Sequence, residues 1–539
     1  MKIRAVLTNW RALPLAALLI LAACGGDSGE SAGGADDALP PLASAGEFQR
    51  NDDITAMTAT DLRSAMVAEE LSAEAVTSAF LERIQRLDRA ADGPNAVIEI
   101  NPDALAIAQG LDQALAAGGE AGDLHGVPVL VKANIDTADA MATSAGSLAL
   151  AEHRAANDAH VITLLRNEGA VILGKTNLSE WANFRSTDST SGWSSLGGLT
   201  RNPWRPTHNP CGSSSGSGAA VAMRFAPLAL GTETNGSIVC PAGANGVLGL
   251  KGTMGRVSRA GVIPIATSMD MVGPMATTAA DLALLMRVIV GSDPNDRSTL
   301  IRFKKYSILT PEFSGRLKDA RIGVWRSYPG AGTNAEVDAL FNKTVAQLQE
   351  AGAEIIDDLE IEQGELGSRA YQVMLYEFRE GINSYLAGVS APGAPRNLEE
   401  LIAYNQANAE RVMPHFGQEI LEAAQAVTWS KVDYAKALTE VRRDANQQLE
   451  GALQRHNLTH LVSVTNGPAW TTDLENGDSF GIGSSTLPAI TGHPHLTVPM
   501  GLVDGLPVGL SVMSYRSNEF RVLRVAAAVE KLAGPVSPL

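Results

Sequence analysis

Two short runs decide how this chain is read: Cys211-Gly-Ser-Ser-Ser-Gly-Ser-Gly218 and Gly231-Thr-Glu-Thr-Asn-Gly-Ser-Ile-Val-Cys-Pro241. Both are rich in glycine and small hydroxyl residues, which suits tight turns where backbone approaches backbone. Neither reads as a flexible linker. The first is followed at once by residues 219–225, which open on the small residues Ala-Ala-Val-Ala and predict a helix packed closely on its neighbours. A serine hydroxyl is a poor nucleophile until a neighbouring base takes its proton, so the next question is where a base lies. Histidine is in short supply near these runs. Upstream, residues 126–131 (Gly-Val-Pro-Val-Leu-Val) predict a buried strand that ends on Lys132. Burial disfavours an ammonium ion, so a lysine ending an apolar strand is a candidate neutral base.

Two pattern matches in this region fail on their surroundings. Gly169-Ala-Val-Ile-Leu-Gly-Lys-Thr176 fits GxxxxGK[ST]. A phosphate-cradling loop must be open, and Ala-Val-Ile-Leu prefers an extended buried strand instead. Gly212-Ser-Ser-Ser-Gly216 fits GxSxG, but a nucleophile elbow needs a buried strand just before it. Pro203, Pro206 and Pro210 prevent one there. An esterase of the α/β-hydrolase type therefore stays as an alternative; it would depend on Ser214 and on His493 or His495, and not on Lys132. His493-Pro-His495 is read as a polar turn beside a strand and not as a metal site.

The two runs, taken with other segments, resemble the amidase signature family. The matching segments are residues 126–134 through Lys132, Gly174-Lys-Thr-Asn-Leu-Ser-Glu-Trp-Ala-Asn-Phe184, Ser268-Met-Asp-Met-Val-Gly-Pro274, and residues 496–509. The resemblance covers about residues 60–535, and its wording is closest to bacterial peptide amidases. It implies an α/β fold with a mixed central sheet covered by helices on both faces. It implies Ser237 as nucleophile, Ser213 as bridging serine across a cis Gly212–Ser213 peptide, and Lys132 as base. Backbone N–H groups of the turn at Thr234, Asn235, Gly236 and Ser237 would hold the oxyanion. No cofactor and no metal is implied. The substrates implied are carboxamides, C-terminal peptide amides first and small aryl or aliphatic amides second. A lipoprotein that keeps the fold only to bind is the non-catalytic alternative. Many members of the family carry Asp-x-Gly-Gly-Ser-Ile-Arg, where this chain has Glu233-Thr-Asn-Gly-Ser-Ile-Val239. Asn235 tolerates positive φ better than most residues, and Val239 removes a charge. Cys211 and Cys240 flank the serines and are read as buried free thiols, with pairing open to them in an oxidising compartment.

Outside this block the chain carries an address. Lys2, Arg4 and Arg11 precede an apolar run at residues 12–23, too short to cross a bilayer, which ends in Leu21-Ala-Ala-Cys24. This resembles a bacterial lipobox, implying cleavage before Cys24, lipidation of its thiol, and export to the periplasmic side of the envelope, at the outer membrane. Residues 25–48 have no apolar period and read as a flexible tether, with order beginning near Asp53. The remainder alternates strands and helices as one catalytic domain, in which residues 296–450 are a helical elaboration. The 539-residue chain has 42 Lys and Arg against 59 Asp and Glu, a net charge of −17. That balance excludes nucleic acid as a partner and disfavours amide transfer on tRNA. The expected partners are a small or peptide amide and, through the lipid anchor alone, a membrane.

Overall fold

The computed structural model describes residues 45–300, 315–357 and 359–539, with side chains from Asn51 onward. The leader, Cys24 and most of the proposed tether lie outside the described residues. Thirteen strands occur in chain order among the described residues: β1 Val97–Ile100, β2 Pro128–Lys132, β3 Val171–Thr176, β4 Trp193–Ser194, β5 Gly198–Leu199, β6 Leu228–Glu233, β7 Leu248–Lys251, β8 Met271–Ala276, β9 Arg321–Val324, β10 Glu354–Ile356, β11 His460–Val464, β12 His495–Val503 and β13 Leu506–Ser514. Eleven form one mixed sheet in the order β1-β3-β2-β6-β8-β7-β12-β13-β11-β9-β10, and β4 and β5 pair separately. Helices cover both faces, as expected. The adjacent interior strands β3, β2 and β6 are buried along their whole length. Buried on both faces, they read as continuous apolar runs and not as alternation. They pair in parallel, Lys132 opposite Thr176 and Val131 opposite Leu230.

Helix Ser215–Ala222 consists only of serine, glycine, alanine and valine, all buried. The glycines set its distance: a Cβ on Gly216 would stand 2.3 Å from the Ala96 carbonyl, and one on Gly218 2.8 Å from the Pro241 carbonyl. This close approach brings the helix against β6 and against helix Val239–Asn245. The loop before each helix carries one of the two glycine-serine runs.

Two expectations are corrected. Helix Ala45–Ala56 begins inside the segment read as a tether. Its sequence has no apolar period, and what holds it is tertiary: Asp52 pairs with Arg83 at 2.8 Å and Arg86 at 2.5 Å on helix Ala73–Leu87. Residues 296–450 are also more than a helical addition, since β9 and β10 extend the edge of the main sheet beside β11. Helix Ala335–Glu350 lies between those two strands, and helices Leu366–Ala387, Leu398–Ala407, Ala409–Val412, Glu419–Gln425 and most of Lys431–Arg455 follow them within the segment.

Candidate active site

Lys132 is the last residue of β2 and is fully buried. Its Nζ lies 2.8 Å from Ser213 Oγ, 3.0 Å from Ser214 Oγ, and 2.9 Å from Thr232 Oγ1 on β6, with the Thr232 carbonyl at 3.3 Å. Asn134 Nδ2 donates to the same Thr232 hydroxyl at 3.0 Å. The amine is thus surrounded by hydroxyls, and no carboxylate among the described residues pairs with it directly. Burial holds its pKa well below the ordinary lysine value, and the more distant charges of Glu233 and Asp270 partly oppose that shift.

Ser213 follows a cis Gly212–Ser213 peptide bond and is buried. Gly212 has no room for a side chain, since a Cβ there would stand 2.3 Å from Ser179 Oγ. Ser214 occupies the N-cap of helix Ser215–Ala222, and its hydroxyl is committed. It donates to the Thr232 carbonyl at 3.1 Å and accepts the Thr232 N–H at 3.2 Å. His495 Nε2 meets Ser511 Oγ at 2.6 Å and His493 Nδ1 meets Thr491 Oγ1 at 2.8 Å. Neither histidine is hydrogen-bonded to Ser214, so nothing supports the elbow reading. Lys175 of the GxxxxGK[ST] match ends inside β3, its Nζ donating to the Ile135 carbonyl at 2.5 Å.

Ser237 lies in the turn between β6 and helix Val239–Asn245, and its carbonyl accepts the Ser214 N–H at 3.2 Å. Glu233, the last residue of β6, anchors that turn: its Oε2 accepts the N–H groups of Ile238 at 2.8 Å and Val239 at 3.0 Å. Thr234 Oγ1 donates to Asp270 Oδ1 at 2.6 Å, and the other Asp270 oxygen accepts the Ile265 and Ala266 N–H groups. Burial raises the Asp270 pKa to about 6 against these hydrogen bonds. Asn235 is exposed and its amide oxygen accepts from Ser485 Oγ at 2.6 Å. The left-handed residue of the turn is Gly236, at φ 84°, and not Asn235. Sequence reasoning assigned no role to Glu233 or Asp270. Both stand inside quoted motifs, but only the folded chain shows what their carboxylates hold.

Cys211 and Cys240 form a disulfide, which corrects the expectation of free thiols. Their Cα atoms stand 5.9 Å apart across the junction of the two serine-bearing segments. They are 29 residues apart in sequence, and nothing local signals that meeting.

Ser237 opens onto a cavity of about 610 Å³ whose lining includes Gly212, Thr234, Gly236, Cys211 and Cys240. The rest of its lining is largely apolar and aromatic, with Phe184, Tyr371, Met374, Ile420, Trp470 and Phe480. Tyr371 thus serves the cavity, whereas Tyr376 stacks on Tyr434 and Phe378 is core. Tyr385 donates to Asp136 at 2.7 Å beside a neighbouring cavity. One side of the wall is an unusual turn in which Trp181, Ala182 and Asn183 are all left-handed, at φ 52°, 54° and 71°. Such residues cost on the order of 1–2 kcal/mol each, and tertiary contacts hold them there. Trp181 N–H donates to the Ala145 carbonyl, and Glu180 pairs with Arg185 at 3.1 Å, both fully buried. Arg185 also donates to the carbonyls of Val412, Phe416 and Gly417. No cluster of potential metal ligands occurs among the described residues.

The fold and this site define an amide-cleaving serine hydrolase. A family model described as Amidase matches residues 75–523, so the chain belongs to the amidase family. It is similar to the peptide amidase of Stenotrophomonas maltophilia, at 43% identity and a TM-score of 0.85 over 90% of this chain and 98% of that one. An amidase family protein from Bacillus anthracis is 33% identical, with a TM-score of 0.82, over 92% and 94% of the two chains. One chain of the glutamyl-tRNA(Gln) amidotransferase from Caldanaerobacter subterraneus is 33% identical over 491 residues, 89% of this chain and 97% of its own. The protein is a serine amidase of the amidase signature type, a hydrolase acting on amide C–N bonds.

Proposed function

We propose that the enzyme hydrolyses C-terminal peptide amides to the carboxylate and ammonia, through an acyl-enzyme on Ser237. The observation that carries this reading is a buried lysine 2.8 Å from Ser213, beneath an apolar and aromatic cavity onto which Ser237 opens. A neutral amine has two N–H groups and one lone pair. Ser214 and Thr232 accept the two N–H groups, which leaves the lone pair for the Ser213 hydroxyl. Ser213 in turn takes the proton of Ser237 as its oxygen attacks the amide carbon. The oxyanion is held by backbone N–H groups of the 234–237 turn, whose loss typically costs about 2.7–4 kcal/mol per donor. The proton then returns from Lys132 by way of Ser213 to the departing ammonia. Water repeats the sequence on the acyl-enzyme and regenerates Ser237. The apolar wall suits a peptide whose last side chain is large and uncharged, and similarity to a peptide amidase supports the same class. Export and the acidic surface disfavour amide transfer on tRNA. We further propose that the leader is removed and the enzyme tethered through lipid on Cys24; C24A should release it from membranes in cell fractionation.

The test is ammonia release from a panel of peptide amides by the soluble body, S237A and K132A. Release by the parent and loss in both variants is the expected result. No release, with no fluorophosphonate labelling of Ser237, would overturn the catalytic assignment. Labelling without release would retain the machinery and discard the substrate class.

A further inference from the structure

We propose that the Cys211–Cys240 disulfide is a positioning device that holds Ser213 and Ser237 in register, so that the chemical step itself depends on the oxidised bond. The inference rests on the serine amidase reading above. Cys211 stands two residues before Ser213 and Cys240 three residues after Ser237. The two serines belong to different segments, one entering helix Ser215–Ala222 and the other entering helix Val239–Asn245. Near the hydroxyls these segments are joined by a hydrogen bond of 3.2 Å, from Ser214 N–H to the Ser237 carbonyl. Lys132 engages the Ser213 side and Thr232. A shift of the Ser237 turn would therefore leave base and bridging serine intact but break the proton path to the nucleophile.

Each sulfur is fixed to its own segment. Cys211 is held in a left-handed conformation, at φ 58°, by its N–H on Asn209 Oδ1 at 2.7 Å and by Ser215 Oγ on its carbonyl at 2.6 Å. Cys240 donates its N–H to the Gly236 carbonyl at 2.8 Å, inside the turn expected to hold the oxyanion. Both cysteines pack with Ala244 and Trp470 and line the cavity that exposes Ser237. The bond thus lies in the wall of the active cavity, where it sets the placement of reacting groups. A misplacement of about 1 Å costs on the order of 10²-fold in rate.

The experiment compares the parent with C211A/C240A, both shown folded by circular dichroism below their melting temperatures. It measures kcat and KM on one peptide amide and the rate of fluorophosphonate labelling at Ser237. The proposal expects kcat and the labelling rate to fall about 100-fold, with KM within about threefold, because the cavity's apolar wall is retained. Should the variant fail to fold, the parent is treated with dithiothreitol under native conditions. Two electrons and two protons then pass to the disulfide, giving two thiols and the cyclic disulfide of the reagent; thiol titration verifies this. Activity should fall with thiol appearance and return on reoxidation with oxidised glutathione. Unchanged kcat in the folded, bond-free chain overturns the proposal while leaving the amidase reading in place. So does a rise in KM alone. An oxidised parent that neither releases ammonia nor labels overturns both.

Discussion

Lys132 and Lys175 sit on neighbouring parallel strands, β2 and β3, and both are fully buried. Lys132 pairs in register with Thr176, so Lys175, one residue earlier, points to the opposite face of the sheet. Burial pushes both pKa values down, and the company each keeps separates them. Lys175 gives its protons to the Ile135 carbonyl and the Thr143 hydroxyl. The surrounding charges of Asp139, Asp136, Glu99 and Asp158 pull it back up, so it rests at about 8. Lys132 faces three hydroxyls and feels only Glu233 and Asp270 at a distance, and it falls well below its ordinary value. A buried lysine whose closest partner is a carbonyl, as Ile135 is for Lys175, is a brace. One facing hydroxyls that can surrender protons is equipped to act as a base.

Exchanging each lysine for methionine should break the comparison most sharply. K132M is expected to lower kcat/KM by about 10⁴-fold or more, as when a member of a catalytic triad is lost. K175M should instead cost about 1–3 kcal/mol of stability by leaving a buried carbonyl without its donor, with kcat/KM within about tenfold of the parent. Steady-state kinetics and urea denaturation of the two variants decide it. Equal kinetic losses would show that burial alone, and not company, makes these lysines matter.

The next effect is on the pH profile. With Lys132 as the proposed base, its uptake of a proton as pH falls should give kcat/KM an acid limb. Asp270 favours the ammonium form. Removing its charge in D270N should move that limb to lower pH, while weakening the hold on Thr234 lowers the plateau several-fold. A plateau loss with an unmoved limb would restrict Asp270 to bracing the turn.

Stability should carry the signature of the brace. The folded chain holds Lys175 near pKa 8 against an ordinary 10.5, so between those values it binds fewer protons than the unfolded chain. Stability attributable to this residue therefore rises with pH across that window. The slope of urea midpoint against pH from 8 to 9.5 should be shallower in K175M than in the parent. The smallest effect is expected for N235A. That side chain reaches only Ser485 and Thr486 at an exposed position, and kcat should stay within about threefold.

The strands β2 and β3, Lys132 and the paired serine runs were legible in the sequence because each is a local statement: an apolar run, its terminal lysine, a cluster of small residues. What escaped depends on elements distant in sequence. Asp270 matters because the chain returns it to Thr234, 36 residues away. Cys211 finds Cys240 because glycines let two helices approach. β9 and β10 are four and three residues long, and each exists through its place at a sheet edge. Helix Ala45–Ala56 is fixed by ion pairs to another helix, and has no pattern of its own to announce it.

The Arg185 guanidinium ties together two segments far apart in the chain. On one side it grips Glu180, beside the left-handed turn in the cavity wall, and on the other it grips three carbonyls within residues 412–417. In thermodynamic terms this is a linkage. An occupant that steadies residues 181–183 is expected to steady the 412–417 segment as well, through the Arg185 contacts. Amide exchange at Val412, Met413, His415, Phe416 and Gly417 would then report cavity occupancy from a segment outside the cavity lining.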